Sequence, residues 1–232
     1  MPGPPWNDDD PANGTTIAAN VGVLTGAFKK QAPLRAIPTI GDVLAWHRAL
    51  YAGCSVNCDD YLGNLRGDQS VPELVGYDVG VGPIQPDGYP SKVGVWSQDV
   101  FAEVEALLRG IEAALVQLDA IVPVGSSPSD PAQFQAVVAL CAVVHGEWVR
   151  IHPFANGNGR TARLWAAFIA LRYGLPVFVT VKPRPNDVAY GLAGAASMGR
   201  PPDFLGNHQT AINGSSGMNV GSFAEMTRKF SL

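Results

Sequence analysis

The apolar residues of this chain recur at steps of three and four, the spacing that places side chains on one face of an α-helix. One such series follows Ser97, and a second follows Asp130-Pro131; both are typical helix starts. The first series is Phe101, Val104, Leu108, Ile111, Leu115 and Leu118, and the second is Phe134, Val137, Cys141, Val144, Trp148 and Ile151. Each series predicts a long helix with one face in a core.

Further helices are predicted on both sides of these two. A first helix covers about residues 14–30, weakened by two internal glycines, and Thr39 caps another that runs to about Tyr51. The run from Arg160 to Arg172 is apolar on several sides, which predicts a helix buried in the centre of a bundle. A last helix is predicted over about residues 186–198.

Residues 54–96 have a different pattern, dense in Gly, Pro, Asp and Asn. Alternating valines stand on both sides of a Pro-Asp-Gly turn, which predicts a small β-hairpin at about residues 78–95. The predicted fold is therefore all-α, a helical bundle with a small hairpin, in a single domain over residues 14–232. Residues 1–13, rich in Pro, Gly and Asp, are predicted to be a disordered tail, and the end beyond about residue 199 to be mostly loop.

Composition narrows the classes of function. With 232 residues, of which 47% are hydrophobic, the chain can bury a sizeable core, and its net charge of −4 argues against a nucleic-acid partner. The N-terminus lacks the pattern of a signal peptide and no long uncharged apolar run predicts a membrane span, so we expect a cytoplasmic protein, although secretion without a signal leaves little trace. Three cysteines do not make a disulfide framework or a zinc site.

One segment between two predicted helices contains candidate phosphate-binding residues and a candidate catalytic base. Gly157, Asn158 and Gly159 directly precede a helix, where successive N–H groups and the positive end of the helix dipole form a phosphate site. Arg160 and Arg163 follow three residues apart, and cations at this helix end make sense when an anion joins them. His152 stands five residues earlier and can take a proton from an attacking hydroxyl. Phe154 is predicted to point inward and hold the loop.

Each part of this segment alone has a simpler structural explanation. His-Pro-Phe is commonly structural, Gly-Asn-Gly is commonly a turn, and Arg-x-x-Arg is commonly a solvated helix face. The compound pattern between two apolar helices favours function. His47, His145 and His208 lie outside it and are predicted to be structural or surface residues.

The segment resembles the signature of the Fic family, His-x-Phe-x-(Asp/Glu)-Gly-Asn-Gly-Arg-x-x-Arg, with looser similarity over about residues 40–205. The resemblance implies an α-helical core with a β-hairpin flap that docks a target protein. It implies a protein adenylyltransferase, which moves AMP from ATP to a protein hydroxyl, releases pyrophosphate and uses Mg²⁺ with the nucleotide. His152 would be the base, Gly157, Asn158, Gly159 and Arg160 would hold the α- and β-phosphates, and Arg163 would point to the γ-phosphate.

Three positions refine the resemblance. Asn156 stands where the family has its acidic, magnesium-binding residue, and a carboxamide oxygen binds Mg²⁺ more weakly than a carboxylate. Gly159 stands where the Doc-type kinases have lysine, which favours nucleotidyl transfer. The inhibitory Ser/Thr-x-x-x-Glu-Gly/Asn segment of many members is absent from the sequence, so a separate inhibitory partner restrains the enzyme or nothing does.

Two alternatives stay open from the sequence. The donor could supply another phosphate-containing group, namely UMP, GMP or phosphocholine, because the loop binds phosphates rather than the base. Alternatively, the chain is a catalytically weakened module that binds a nucleotide or a peptide, for which Asn156 is the main support.

Overall fold

A computed structural model describes residues 3–6, 11–84, 86, 90–182, 184–185 and 188–198 of the chain. Six α-helices and one antiparallel strand pair stand in this part: α1 Pro11–Gln31, α2 Ile40–Leu50, β1 Gly80–Ile84, β2 Pro90–Val93, α3 Val100–Ile121, α4 Pro131–Ile151, α5 Asn158–Arg172 and α6 Val188–Ser197. Short 3-10 turns occur at Ala32–Leu34, Asp59–Tyr61, Pro72–Leu74 and Ser97–Asp99. The mostly helical fold with a small hairpin confirms the predicted class.

Helices α4 and α5 form the centre of the bundle. They pack against each other, with α3 and α6 also on α4 and with α1 on α5. Twelve of the α5 residues are buried, which confirms a helix enclosed on nearly all sides. An aromatic cluster fills the space between helices, where ring contacts link Trp46, Trp148, Trp165 and Phe168. By length and composition α4 resembles a membrane span, but 72% of its apolar stretch is buried inside the protein, as in a core helix.

The helix starts follow the predicted caps at two of three places. Thr39 and Asp42 form a capping box at α2, and the Asp130 side chain accepts from the Gln133 N–H at 2.9 Å at α4. Ser97 does not cap α3 as predicted. It begins a 3-10 turn, its N–H donates to Asp78 Oδ1 at 2.7 Å, and α3 starts at Val100.

The predicted core faces are correct except at their first residues. Phe101 is 58% exposed and Phe134 is 41% exposed, whereas the other members of both series are buried or partly buried. On α3 the neighbouring Val100 and Leu107 are buried. A helix advances about 100° per residue, so an adjacent position can face the core equally well, and the packing of the partner helix selects between them.

The N-terminal segment differs from the prediction of a disordered tail over residues 1–13. Within the described part, α1 already begins at Pro11, and Trp6 is 6% exposed. The Trp6 ring packs at 4.7 Å from Tyr51, and the main-chain N–H of Trp6 donates to the Tyr77 hydroxyl at 3.2 Å. Burial of one large aromatic side chain stabilises this short segment despite its Pro-rich composition.

The hairpin pairs Gly80 with Val93, Val81 with Lys92 and Ile84 with Pro90, with an irregularity between the second and third pairs. It therefore occupies the predicted flap region. Most of the predicted Pro-Asp-Gly turn lies outside the described residues, as do His208 and the predicted C-terminal loop. Cys141 is fully buried in α4 as a core residue, and Cys54 and Cys58 are partly buried.

Candidate active site

His152 is the residue at which α4 ends. Its backbone has φ 55° and ψ 56°, the left-handed conformation, and its N–H still donates to the Trp148 carbonyl, one helical turn back, at 3.0 Å. This conformation turns the chain sharply out of α4 and costs a non-glycine residue about 1–2 kcal/mol. Such a cost at a predicted catalytic residue indicates that the surroundings hold it in place.

The imidazole of His152 is in the form that a base needs. Its Nδ1 lies 3.0 Å from the Val149 carbonyl oxygen, which can only accept, so Nδ1 carries the proton and Nε2 keeps its lone pair. Burial, reinforced by the Arg66 charge and opposed by the hydrogen bond to Val149, lowers the pKa of His152 to about 4. The ring is therefore neutral at physiological pH.

The loop between α4 and α5 is closed by its own side chains. Asn158 Oδ1 accepts from the Phe154 N–H, and Asn158 Nδ2 donates to the Phe154 carbonyl, both at 2.8 Å. Phe154 is fully buried in the predicted inward position and stacks on His47, with ring centroids 3.8 Å apart. The Asn158 side chain thus shapes the loop, and its contribution to anion binding would come from its backbone N–H.

His47 supports the same loop from α2. Its Nδ1 accepts from the Gly63 N–H at 2.9 Å, so Nε2 carries the proton and donates to the Asn156 carbonyl at 3.0 Å. His145 is also buried, with Nε2 3.0 Å from the Tyr190 hydroxyl. Burial, together with the Arg163 charge, lowers the pKa of His145 to about 3. The sequence predicts that both histidines are structural or surface residues, and both are buried with hydrogen-bonded rings.

Gly157 and Gly159 suit the loop for different physical reasons. Gly157 precedes α5 with φ 80°, and a Cβ there would lie 2.5 Å from the Tyr51 hydroxyl oxygen, so only glycine fits without displacement. A Cβ on Gly159 would lie 3.3 Å from Arg163 NH1, which crowds that guanidinium. The N–H groups of Asn158, Gly159 and Arg160 in the first turn of α5 have no carbonyl acceptor within the helix and suit an anion.

The two arginines of the segment have different surroundings. Arg160 is partly exposed and its NH1 donates to the Tyr51 hydroxyl at 2.5 Å. Arg163 is buried and donates from NH1 to the Tyr190 hydroxyl at 2.6 Å and from NH2 to the Val181 carbonyl at 3.0 Å. Burial lowers the pKa of Arg163, and Tyr190 opposes that shift. The guanidinium groups of the two predicted phosphate ligands therefore point in different directions. That of Arg160 contacts Tyr51 at the end of α2, and that of Arg163 contacts Tyr190 in α6.

Asn156 makes one contact that a carboxylate could not. Its Nδ2 donates to the Trp6 carbonyl at 3.0 Å, and its Oδ1 accepts from the Gly157 N–H at 2.5 Å. An aspartate has no donor for the Trp6 carbonyl at neutral pH. The amide therefore joins the N-terminal segment to the loop.

The Asn156 side chain fits a magnesium ligand poorly in this geometry. The Asn156 oxygen is neutral and already accepts from Gly157, and the part of the chain that is described contains no cluster of three or more His, Cys, Asp or Glu able to hold a metal ion. A divalent ion at this loop would depend on oxygens that a nucleotide brings.

Sequence reasoning missed four contributors to the site: Trp6, Tyr51, Arg66 and Tyr190. Arg66 donates from Nε to the His152 carbonyl at 2.6 Å, although it belongs to a Gly- and Asp-rich loop. None of the four belongs to a motif. Their partners lie 27 to 150 positions away in the chain, so local patterns carry no signal for them.

The fold and the loop together define an α-helical protein in which a histidine is followed closely by a helix start whose first N–H groups suit an anion. The sequence profile of the Fic/DOC family matches residues 38–170. That match covers more than half of the chain, and the chain therefore belongs to the Fic/DOC family.

The fold also resembles that of a solved structure. A Fic-domain-containing signaling protein from Bacteroides thetaiotaomicron VPI-5482 superposes with a TM-score of 0.50 at 20% sequence identity, covering 91% of this chain and 70% of that one. At this identity the likeness supports the helical fold. Family membership places the chain among proteins that generally transfer nucleotide or other phosphate-containing groups to proteins.

Proposed function

We propose that this chain transfers AMP from ATP to a Ser, Thr or Tyr hydroxyl of a target protein. The hydroxyl oxygen bonds to the α-phosphorus while the bond from that phosphorus to the oxygen bridging to the β-phosphate breaks. Pyrophosphate leaves, and the hydroxyl proton passes to Nε2 of His152. The observation that carries the proposal is the neutral His152 with its lone pair on Nε2, at the end of α4 and just before the helix start that suits a phosphate.

The phosphates are proposed to lie at the first turn of α5. The N–H groups of Asn158, Gly159 and Arg160 would face the α- and β-phosphates, joined by the Arg160 guanidinium. Arg163 would reach toward the γ-phosphate once its guanidinium leaves the Tyr190 hydroxyl and the Val181 carbonyl. The Gly157 N–H would take part once Asn156 releases it. ATP is the proposed donor in its magnesium complex, and no step assigns that ion a protein ligand.

The target is proposed to dock on the flap formed by β1 and β2. A two-stranded sheet leaves strand edges with main-chain donors and acceptors, and an extended target segment can pair with such an edge. The reaction is proposed to take place in the cytoplasm. The given sequence lacks the inhibitory segment, so under this proposal either a separate partner restrains the enzyme or nothing does.

The test is incubation of the purified chain with α-labelled ATP, magnesium and a cell lysate, followed by mass spectrometry of labelled proteins. We expect adducts of AMP in the wild type and loss of at least about 100-fold in His152→Ala, the contribution of general-base catalysis. His208→Ala, outside the motif, serves as the control and is expected to label normally. Equal labelling by His152→Ala would remove the proposed role of the histidine. Replacing ATP by UTP, GTP or CDP-choline in the same assay, and in thermal shifts, tests the donor.

A second candidate is a binding module without turnover, and the contacts of Asn156 favour it. Both polar atoms of its amide serve the loop and Trp6, rather than a metal ion. Under this alternative, ATP raises the melting temperature but no donor yields an adduct. Asn156→Asp would then create activity, whereas a loss of existing activity in that variant would exclude the module.

A further inference from the structure

Arg66 is a buried cation in the loop between two 3-10 turns. It is 1% exposed, and its nearest carboxylate oxygen, Asp78 Oδ1, is 3.6 Å from NH1. Burial lowers the pKa of Arg66 to about 10, so the side chain stays charged at neutral pH. A buried charge is costly unless hydrogen bonds replace water, and Arg66 obtains them from main-chain carbonyls.

Those carbonyls belong to two features of the proposed active site. Nε donates to the His152 carbonyl at 2.6 Å, and NH2 donates to the Ile151 carbonyl at 3.1 Å, at the end of α4. NH1 donates to the Tyr77 carbonyl at 2.9 Å, and NH2 also donates to the Val95 carbonyl at 2.8 Å. Tyr77 precedes β1 and Val95 follows β2, so one guanidinium holds both roots of the flap and the last residues of α4.

The contact with α4 is favourable for two reasons. The last carbonyls of a helix lack intrahelical donors, and a cation there complements the helix dipole. The main-chain N–H of Arg66 adds a further bond to the Pro153 carbonyl at 2.8 Å. Together these bonds surround the left-handed His152 backbone, and their charge-assisted strength offsets the cost of that conformation.

A second set of contacts joins the same two features independently. The Val95 N–H donates to the Ile151 carbonyl at 3.2 Å, and a Cβ added to Gly94 would lie 2.8 Å from His152 Cβ. The root of the flap therefore lies directly against the histidine. The root of the flap and the His152 backbone are therefore joined by these direct contacts as well as by Arg66.

From these contacts we infer that Arg66 is a positioning residue that joins the roots of the flap to the His152 main chain as one unit. The inference rests on the proposed function in one respect, namely that a target docked on the flap presents its hydroxyl to His152. Arg66 then sets the separation between hydroxyl and base without touching either. It acts on the step that follows nucleotide binding.

The first test measures this coupling without any turnover. In hydrogen exchange of the full chain, Arg66→Met is expected to accelerate exchange of the Gly94 and Val95 amides by at least about tenfold, as a loss of one charged hydrogen bond allows. Arg35→Met is the control, because Arg35 is also a buried arginine away from the flap. It donates to the Pro123 and Ser126 carbonyls and, at 2.8 Å, to the Asp119 carboxylate. Unchanged exchange at both amides in Arg66→Met, with a melting temperature lowered as much as in Arg35→Met, would overturn the inference.

The second test uses kinetics. Arg66→Met is expected to lower kcat about 10- to 100-fold, the effect of a small misplacement of reacting groups, while KM for ATP changes less than about threefold. Arg66→Lys keeps the charge but cannot span four carbonyls, and is expected to recover part of kcat and of amide protection. A rise in KM for ATP with kcat unchanged would contradict the assigned role.

If Arg66→Met does not fold, Arg66→Lys replaces it in both tests, since lysine keeps the buried charge but cannot reach all four carbonyls. This variant is expected to lower kcat and to accelerate exchange at Val95, and wild-type values of both would overturn the inference. If the wild type transfers no group at all, the proposed function fails, while the exchange experiment still decides whether Arg66 couples the two elements.

Discussion

The low pKa of His152 gives a direct prediction about acid. An ordinary histidine, with a pKa near 6.5, is only about 3% neutral at pH 5, so a reaction that needs it as base slows about 25-fold between pH 7 and pH 5. With a pKa of about 4, His152 remains about 90% neutral at pH 5. The expected loss of kcat/KM from this group over the same range is therefore only about one-tenth.

The measurement is an NMR titration of the chain labelled with ¹³C-histidine. A kinetic assay is less direct, because the protonation of ATP and its binding of magnesium also change with pH. His152→Ala identifies the resonance among the four histidines of the chain. We expect no change in the His152 Cε1 chemical shift between pH 7.5 and about 5.5. The midpoint of the titration should fall near pH 4, the pKa to which burial lowers this ring. A midpoint near 6.5 would refute the argument that burial, aided by Arg66, keeps this ring neutral.

The same shift predicts how stability depends on pH. The pKa is lower in the folded chain than in the unfolded chain, so the unfolded state binds the proton first as pH falls. The free energy of unfolding is unaffected by this group above about pH 6.5 and falls by up to about 3 kcal/mol as pH drops toward 4. His152→Gln removes this group's part of the loss, which urea unfolding at pH 7 and pH 4.5 measures; an unchanged difference between the two pH values would contradict it.

Three further predictions concern stability and the loop. Asn156→Asp sets a carboxylate against the Trp6 carbonyl and is expected to lower the free energy of unfolding by about 1–3 kcal/mol, whereas a melting temperature equal to wild type would show that this bond contributes nothing. Gly157→Ala is expected to cost at least about 2 kcal/mol, from its positive φ and its overlap with the Tyr51 hydroxyl, and Tyr51→Phe in the same chain should recover part of the loss in urea unfolding. Equal losses with and without the hydroxyl would exclude that overlap as a cause. Gly26→Ala, inside α1 and with open space around the new methyl group, is expected to stabilise by about 0.5–1 kcal/mol, so a lower melting temperature would contradict the described helix.

Local patterns were sufficient for most of the fold. Helix caps such as Thr39 and Asp130 act on residues three positions away, and the apolar periodicity of α3 and α4 is a property of each helix alone. The exposed positions of Phe101 and Phe134 could not be predicted in this way, because neighbouring helices decide which flank of a stripe is covered.

Long-range contacts explain the remaining differences. Trp6 is held in place by ring contacts with Tyr51 and Tyr61 and by the hydrogen bond from Asn156 to its carbonyl. None of these residues is near Trp6 in sequence. Arg66 stands in a polar loop where an arginine is typically solvated, and only the folded chain brings five carbonyls around it. The motif predicts which loop carries the candidate site, but the residues that hold the shape of that loop follow from tertiary structure.

The way in which the loop before α5 is held has a consequence for the thermodynamics of binding. Asn158 and His47 fix the main chain at Phe154 and Asn156 from the protein side, so the loop has its shape before any nucleotide arrives. Little conformational entropy would then be lost on association, and calorimetry should give a small entropic penalty for the phosphates. The contacts that set this shape come from the protein side of the loop, so substitutions elsewhere around the candidate site would leave the main chain of the loop unchanged.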